Sequence, residues 1–367
     1  MSGAARYRHG LVLGKFYPPH AGHRYLIDTA AAACARVTVV CAPSTVESIP
    51  LADRLAWLRE IHAGQPPVRV VGGYDDVPID YHDDAVWAAH VEITRTLVAK
   101  AAAADGAAPE IDAVFSSESY GPELARRFAA RHVPVDPDRR VVPVSGTAVR
   151  ADPVAHWSLL AAPVRAGLAR RVVVLGAEST GTTTLARSLA HRYRRRGGVW
   201  ARTRWVPEYG RERTEEKLAA LRGADPAASV FDVTWQRNDF VEVARRQNER
   251  EDAAARNSSP LLVCDTDAFA TAVWEQRYLG SSSAAVTAQA RRPDLYLLTD
   301  HVGVPFADDG LRDGEHVRPW MTERFRQVLA EQPAPVVELT GPLPARLDAA
   351  TAACDGVLTW DFAEPLG

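Results

Sequence analysis

Lysine is nearly missing from this chain: of 43 basic residues only Lys15, Lys100 and Lys217 are lysine. Where arginine is so strongly preferred, a lysine kept inside a motif points to a particular job there. Cysteine is scarce too. Cys34, Cys41, Cys264 and Cys354 show no C-x-x-C pairing, which argues against zinc sites and disulfides and leaves them as small buried hydrophobes. No apolar run approaches the ~18–20 residues that cross a bilayer, so no membrane role is expected. The first nine residues carry no apolar signal core, and a cytoplasmic location is expected. No repeat at a period of ~20–50 residues is evident, which argues against a solenoid. The net charge of −3 leaves no footprint for nonspecific nucleic-acid binding, and no nucleic-acid partner is expected.

What is present suits a soluble globular protein. Its 367 residues, 47% hydrophobic and 24% charged, are many for one compact α/β domain and comfortable for two. Apolar runs at Gly10–Leu13, Val37–Cys41, Val68–Val71, Ala113–Phe115 and Arg140–Val144 read as strands. Leu51, Leu55, Leu58 and Ile61 form a helical stripe between two of them, and Ala99–Ala108 reads as a helix end with a surface loop. Such alternation predicts a parallel sheet with helices on both faces. Val172–Leu175, the run from Leu261, Leu295–Leu298 and Val336–Leu339 predict a second one. The expected fold class is therefore α/β, with two doubly wound parallel-sheet domains over 1–165 and 166–367. Their joint lies in the proline-bearing stretch Arg150–Arg170.

The first half is arranged around Gly14-Lys15-Phe16-Tyr17-Pro18-Pro19-His20-Ala21-Gly22-His23. An apolar strand precedes it, and Tyr25, Leu26, Ala30 and Ala33 follow at helical spacing. Pro18 and Pro19 suit the approach to a first turn, where a missing N–H costs nothing. His20 and His23 share one face of that turn. A histidine pair at this spacing is commonly a metal half-site or two surface residues. Here Gly22 lets a ligand approach the backbone, Lys15 adds charge, and a helix N-terminus attracts anions. Together they read as a phosphate site. About 125 residues further on, Val144-Ser145-Gly146-Thr147-Ala148-Val149-Arg150 offers hydroxyls, N–H groups and a forked cation to phosphate oxygens. Asp75, Asp76, Asp80, Asp83 and Asp84 crowd one acidic loop, read mostly as solvated surface, and Trp87 follows it.

A second strand–loop–helix begins at Gly176-Ala177-Glu178-Ser179-Thr180-Gly181-Thr182-Thr183-Thr184. In outline this is a phosphate-binding loop, with hydroxyl residues at the head of a helix. It departs at one place: Thr182 stands where a lysine would steady the β- and γ-phosphates. Thr183 keeps the hydroxyl position that holds Mg²⁺. Leu261-Leu262-Val263-Cys264-Asp265-Thr266-Asp267 has the form of a Walker B strand, with Asp265 able to hold Mg²⁺ directly or through water. Trp205-Val206-Pro207-Glu208-Tyr209-Gly210-Arg211 adds a carboxylate, an aromatic and a cation. Asp308-Asp309-Gly310-Leu311-Arg312 and Arg318 read as a mobile segment whose arginines could close over phosphates.

The first two motifs resemble the G-x-F-x-P-x-H-x-G-H and I-S-G-T-x-[IV]-R elements of the adenylyl and cytidylyl transferases, and among these the nicotinamide mononucleotide (NMN) adenylyltransferases. Taken in order with G-A-E-S-T-G-T-T-T-L, P-E-Y-G-R, C-D-T-D and D-D-G-L-R, the chain resembles the NadR-type bifunctional family from about Leu11 to about Ala350. The resemblance implies an NMN adenylyltransferase fused to a ribosylnicotinamide kinase, with ATP, NMN and nicotinamide riboside as ligands and Mg²⁺ carried by ATP. It implies that His20, His23, Lys15 and Arg150 act on the ATP phosphates, with Ser145, Gly146 and Thr147 donating hydrogen bonds and Gly14, Phe16 and Gly22 lining the site. Trp87 falls near the ring that stacks on nicotinamide in that family, or belongs to the core. For the kinase, residues 176–184 would cradle ATP. Either Glu208 or Asp265 would serve the attacking hydroxyl, and Arg312 or Arg318 would replace the missing lysine. Some members carry an N-terminal helix-turn-helix; with nine residues before the first strand, none is expected here. Three other readings remain: a second domain that binds ATP without phosphoryl transfer, an adenylyl or cytidylyl transferase for another small phosphate such as phosphopantetheine, and, weakest, a DNA-binding regulator. Oligomeric state is left open, a homo-oligomer included.

Overall fold

The computed structural model describes residues 6–366. The chain divides into two compact units, one running to Gly167 and including the stretch from Trp360, the other Leu168–Thr359. The sequence reading had carried its second domain through to residue 367. The stretch from Trp360 instead packs on the first unit, where the Trp157 and Trp360 rings meet at 6.2 Å and the Tyr17 and Phe362 rings meet edge to face at 5.7 Å. No helix of the described residues is long and apolar enough to cross a membrane. All four cysteines are buried and free.

The first unit runs β1 (Tyr7–Gly14), α1 (Ala21–Ala33), β2 (Cys34–Cys41), α2 (Leu51–Ile61), β3 (Val68–Gly72), α3 (Asp84–Ala104), β4 (Ala113–Ser116), α4 (Gly121–Arg127) and β5 (Arg131–Pro134). Two short helices, α5 (Gly146–Ala151) and α6 (Ala162–Leu168), follow. Its five strands are parallel in the order β3-β2-β1-β4-β5. Successive residues of β1 point to opposite faces. Val12 packs with Leu26, Ile27 and Ala30 of α1, while Leu11 packs with Trp87, Val91 and Val98 of α3. A strand covered on both faces needs a continuous apolar run, which is why Gly10–Leu13 is legible in the sequence. The expected strand at Arg140–Val144 does not form. The Asp136 carboxylate accepts hydrogen bonds from the backbone N–H groups of Arg140, Val141 and Val142, and Pro143 has none to give. The V-S-G-T motif therefore follows a loop, and the fifth strand is the short edge Arg131–Pro134.

Beneath the loop after β1 lies a fully buried ion pair. Arg54 of α2 donates to Glu47 Oε2 at 2.5 Å, and neither side chain is exposed to solvent. The same guanidinium donates to the carbonyls of Ile49 and Lys15, at 2.6 and 2.9 Å, and stacks on the Tyr17 ring at 4.4 Å. A planar fork can satisfy all of these acceptors at once; an ammonium could not.

The second unit contains β6 (Arg170–Gly176), α7 (Thr182–Arg194), β7 (Arg204–Val206), α8 (Tyr209–Ala224), α9 (Arg237–Ala255), β8 (Leu261–Asp265), α10 (Ala268–Leu279), α11 (Ala284–Thr287), β9 (Leu295–Thr299), α12 (Arg318–Ala330), β10 (Val336–Leu339) and α13 (Leu343–Val357). Its parallel order is β10-β9-β6-β8-β7. Leu185, Leu189 and Tyr193 of α7 and Cys354 of α13 close one face over Val172, Val174, Val263 and Leu297. Gly176 ends β6 where no side chain fits: a Cβ there would lie 2.3 Å from Thr299 Oγ1 and 2.8 Å from the Thr299 carbonyl.

Breaking the pair under the first loop leaves a buried charge without a partner. Arg54→Ala is expected to destabilise the first unit by about 3–5 kcal/mol, read as an earlier tryptophan-fluorescence transition in urea. Replacing both partners, with Arg54→Met and Glu47→Leu, should recover part of that loss.

Candidate active sites

In the first unit the loop between β1 and α1 lines a cavity of about 420 Å³ with the α5 loop, the loops after β3 and β4, and Pro365. His20 is the N-cap of α1. Its Nδ1 accepts from Gly22 N at 3.1 Å, and His23 Nδ1 accepts from His20 N at 3.3 Å, a capping box made by two imidazoles. The rings stack 3.7 Å apart. With each Nδ1 used as an acceptor, the proton of each neutral ring sits on Nε2. His20 Nε2 is buried and has no partner. Burial, then the charge of Arg139, pushes the His20 pKa down to about 4. Burial and His20 hold His23 well below its ordinary value. Phe16, in the left-handed region at φ 50°, packs against His23 at 4.9 Å.

The predicted residues Gly14, Lys15, Phe16, His20, Gly22, His23, Trp87, Ser145, Gly146, Thr147 and Arg150 all border this one cavity. Ser145 caps α5, accepting from Ala148 N. Arg150 donates to the Tyr17 carbonyl at 2.9 Å and lies 3.3 Å from Thr147 Oγ1. Lys15 Nζ donates to the Leu366 carbonyl at 2.7 Å and sits 3.4 Å from Glu47. Trp87 is part of the core and also borders the cavity, its Nε1 donating to the Tyr81 carbonyl. The crowded aspartates are largely structural. Asp83 caps α3, Asp76 accepts from Thr45, and Asp75 holds His90 at 2.6 Å.

Sequence reading placed Asp75 in a mostly solvated loop and missed His90, Glu118, Tyr120 and Arg139; all five also border the cavity. Arg139 pairs with Glu118 at 2.7 Å. The polar run Ser116-Ser117-Glu118-Ser119-Tyr120-Gly121 at the end of an apolar strand was the available signal.

In the second unit a cavity of about 110 Å³ opens at the carboxyl ends of β6 and β8. Gly176, Glu178, Ser179, Thr182, Thr183, Glu208, Asp265 and Arg312 border it. Gly181, at φ 87°, starts α7 without a side-chain cap, which leaves N–H groups of the first turn open to an anion. Thr180 does not border the cavity: its hydroxyl donates to the Ala177 carbonyl and meets Thr299. Thr184 is exposed. Arg318 is buried behind the loop, donating to the carbonyls of Ser179, His301 and Val304. Arg346, which the sequence gave no reason to choose, donates to the Thr180 carbonyl at 3.0 Å.

Carboxylates dominate this second cavity. Burial, then Asp265, pushes the Glu208 pKa up to about 8. Burial raises Asp265 to about 6, opposed by hydrogen bonds from the Thr183 and Thr182 hydroxyls and by Arg211. Glu178 is raised by burial and takes Arg277 Nη1 at 3.3 Å. Thr266, directly after Asp265, is a β-branched residue held at φ 63°, and Ser179 lies at φ 57°; such conformations cost of order 1–3 kcal/mol and cluster at working sites. Among the described residues no group of three or more His, Cys, Asp or Glu could hold a metal ion by itself. Thr183 and Asp265 are nonetheless the hard oxygen donors that Mg²⁺ takes together with phosphate oxygens and water.

A family described as an AAA domain matches residues 171–346. The "Trifunctional NAD biosynthesis/regulator protein NadR" of Escherichia coli (strain K12) is 27% identical, with 83% of this chain and 71% of that protein covered. The protein of the same name from Salmonella typhimurium gives the same identity and coverage. A crystal structure of a NadR protein in complex with NR matches with a TM-score of 0.69 at 22% identity, covering 98% of each chain. One in complex with NAD and AMP-PNP matches with a TM-score of 0.69 at 21% identity, covering 97% of this chain and 98% of that one. Over both of its units, in sequence and in fold, this chain resembles the NadR proteins.

Proposed function

We propose that the first unit transfers an adenylyl group from ATP to NMN, giving NAD and pyrophosphate, and that the second unit makes NMN from nicotinamide riboside and ATP. The observation that carries the first assignment is that His20, whose buried Nε2 has no partner, borders one cavity with His23, Lys15, Arg150 and the Ser145–Thr147 turn. An NMN phosphate oxygen attacks the α-phosphorus. The bond to the bridging oxygen breaks, and pyrophosphate leaves with the electron pair. The nucleophile is already an anion, so no general base is needed, and catalysis rests on alignment and charge neutralisation. The two neutral imidazoles donate hydrogen bonds from Nε2, while Arg150 and Lys15 supply charge. Trp87 offers the nicotinamide ring a flat apolar edge. The NR bound by one structurally similar NadR protein and the NAD bound by another support the substrate proposed for the second unit and the product proposed for the first.

In the second unit the 5′-hydroxyl of nicotinamide riboside attacks the γ-phosphorus, and ADP leaves. Asp265 borders the cavity beside Thr182 and Thr183; with Thr183 it would hold Mg²⁺, which neutralises phosphate charge when bound. Glu208 is then the group left to receive the proton of the hydroxyl, and its raised pKa suits a base working near neutral pH. Thr182 favours one other reading, a second unit that binds ATP without transferring its phosphate.

Incubation with ATP, Mg²⁺ and nicotinamide riboside, beside an NMN-fed reaction, separates the two. Chromatography is expected to show NAD from both feeds; NAD from NMN alone would assign the second unit to the other reading. His23→Ala should lower NAD formation from NMN by roughly 10²-fold or more. Its melting temperature should fall only by the few degrees that one lost cap allows. Near-wild-type turnover would overturn the role given to His23.

The histidine pair also sets a pH dependence. The unfolded chain takes up protons near the ordinary histidine value of 6.5, whereas folded His20 does so only near 4. The stability tied to the neutral pair is therefore complete above about pH 6.5 and is lost as the pH falls toward about 4. Nitrogen-15 NMR of the ligand-free protein at pH 6 should show both rings as neutral Nε2–H tautomers, and a ring titrating near 6.5 would contradict the capping arrangement.

A further inference from the structure

The phosphate loop of the second unit carries Thr182 rather than a lysine, yet its cavity still needs a cation for an ATP tail. Glu178, Glu208 and Asp265 border it, against two arginines, Arg211 and Arg312. Other arginines near the loop are committed elsewhere. Arg318 and Arg346 donate to loop carbonyls from behind, and Arg277 is held by Glu178 and Asp313. Arg312 stands at the Ser179 end of the loop, bonded to Ser179 Oγ and the Ala307 carbonyl.

Arg211 is placed differently. It lies on the first turn of α8, three residues after the N-cap Glu208, where the helix dipole disfavours a cation. A helix built for stability alone would not put an arginine there. It borders the same cavity as Thr182, Glu208 and Asp265, and its charge opposes the rise of both carboxyl pKa values. Its guanidinium rests on Asp309 at 2.8 Å, with Glu215 at 3.6 Å, and its side chain is 41% exposed. Asp309 also lies 3.5 Å from Arg312 Nε, so one carboxylate holds both arginines of the cavity by the groups that a phosphate would use.

We infer that Arg211 supplies from α8 the positive charge that Thr182 does not: with ATP bound, its guanidinium leaves Asp309 for the β- and γ-phosphate oxygens. In this chain the charge near the phosphates then comes from the helix beside the loop rather than from the loop itself. The inference rests on the kinase reading of the second unit and adds to it the residue that makes the altered loop workable.

The test compares full-length wild type, Arg211→Ala, Thr182→Lys and the double variant. Formation of ADP that depends on nicotinamide riboside reports the second unit, since adenylyl transfer releases pyrophosphate instead. Arg211→Ala should lower this rate or raise the KM for ATP by roughly 10- to 100-fold, the range for one hydrogen-bonding charged group. Thr182→Lys should restore most of the loss in the Arg211→Ala background while adding little to wild type. Arg211→Lys should retain part of the activity with an unchanged melting curve. Equal losses in Arg211→Ala with and without Thr182→Lys, or no loss at all, would overturn the inference. Calorimetric titration with AMP-PNP repeats the comparison without turnover, the first-unit contribution being common to all four proteins. If wild type forms no such ADP, the kinase reading fails by itself, and the titration then decides on Arg211: weaker binding rescued by Thr182→Lys supports it, and unchanged binding overturns it.

Discussion

Each unit depends on the first turn of the helix that follows its central strand. A parallel sheet delivers that strand's carboxyl end to one edge, and the next helix begins there with N–H groups that no helical carbonyl can reach. The two units answer this constraint in opposite ways. In the first, His20 Nδ1 accepts from the Gly22 N–H and His23 Nδ1 from the His20 N–H, and His20 Nε2 is left buried without a partner. In the second, Gly181 caps nothing, and the backbone itself stays open to an anion. One site therefore offers imidazole donors carried by the helix end, the other the helix end.

Holding such loops in place requires donors that reach several carbonyls at once, and here the preference for arginine has a structural use. Arg54 ties Lys15, Ile49 and Glu47 together beneath the first loop. Arg318 and Arg346 do the same for Ser179 and Thr180 behind the second. All three side chains are buried, where a weakly hydrated, forked cation is better tolerated than an ammonium. Phe16, Asp136, Arg139, Ser179 and Thr266 are non-glycine residues with positive φ that border the two cavities, and the buttresses beneath the loops of Phe16 and Ser179 oppose the strain stored there.

Strands buried on both faces and motifs confined to one stretch were legible in the sequence, because each writes itself as a local pattern. Gly10–Leu13, Val172–Leu175 and the two phosphate loops are of this kind. Features set by distant partners were not. Arg140–Val144 has a strand's composition, but the Asp136 carboxylate takes its N–H groups. Arg54 lies between the apolar positions of α2, and only the fold brings Glu47 to it. Arg139, Arg346 and the stretch from Trp360 become part of a site by crossing the chain. Arg318 was visible as a cation near the second loop, but its direction was not, and it faces carbonyls rather than the cavity.

On the proposed reactions, the electrostatics of the two cavities follow the charge of the two nucleophiles. A phosphate attacking phosphorus needs its own charge, and that of the leaving pyrophosphate, offset without a proton acceptor nearby. The first cavity meets this with neutral imidazoles beside Arg150 and Lys15. A hydroxyl attacking phosphorus must lose a proton, and the second cavity has Glu208 and Asp265 with pKa values raised by burial. Three carboxyl groups and a tetraanionic substrate would share the second cavity, whose lining cations are Arg211 and Arg312. A loop that exchanges lysine for threonine under those conditions is tolerable only where another cation stands within reach, and the first turn of α8 is where this chain keeps one.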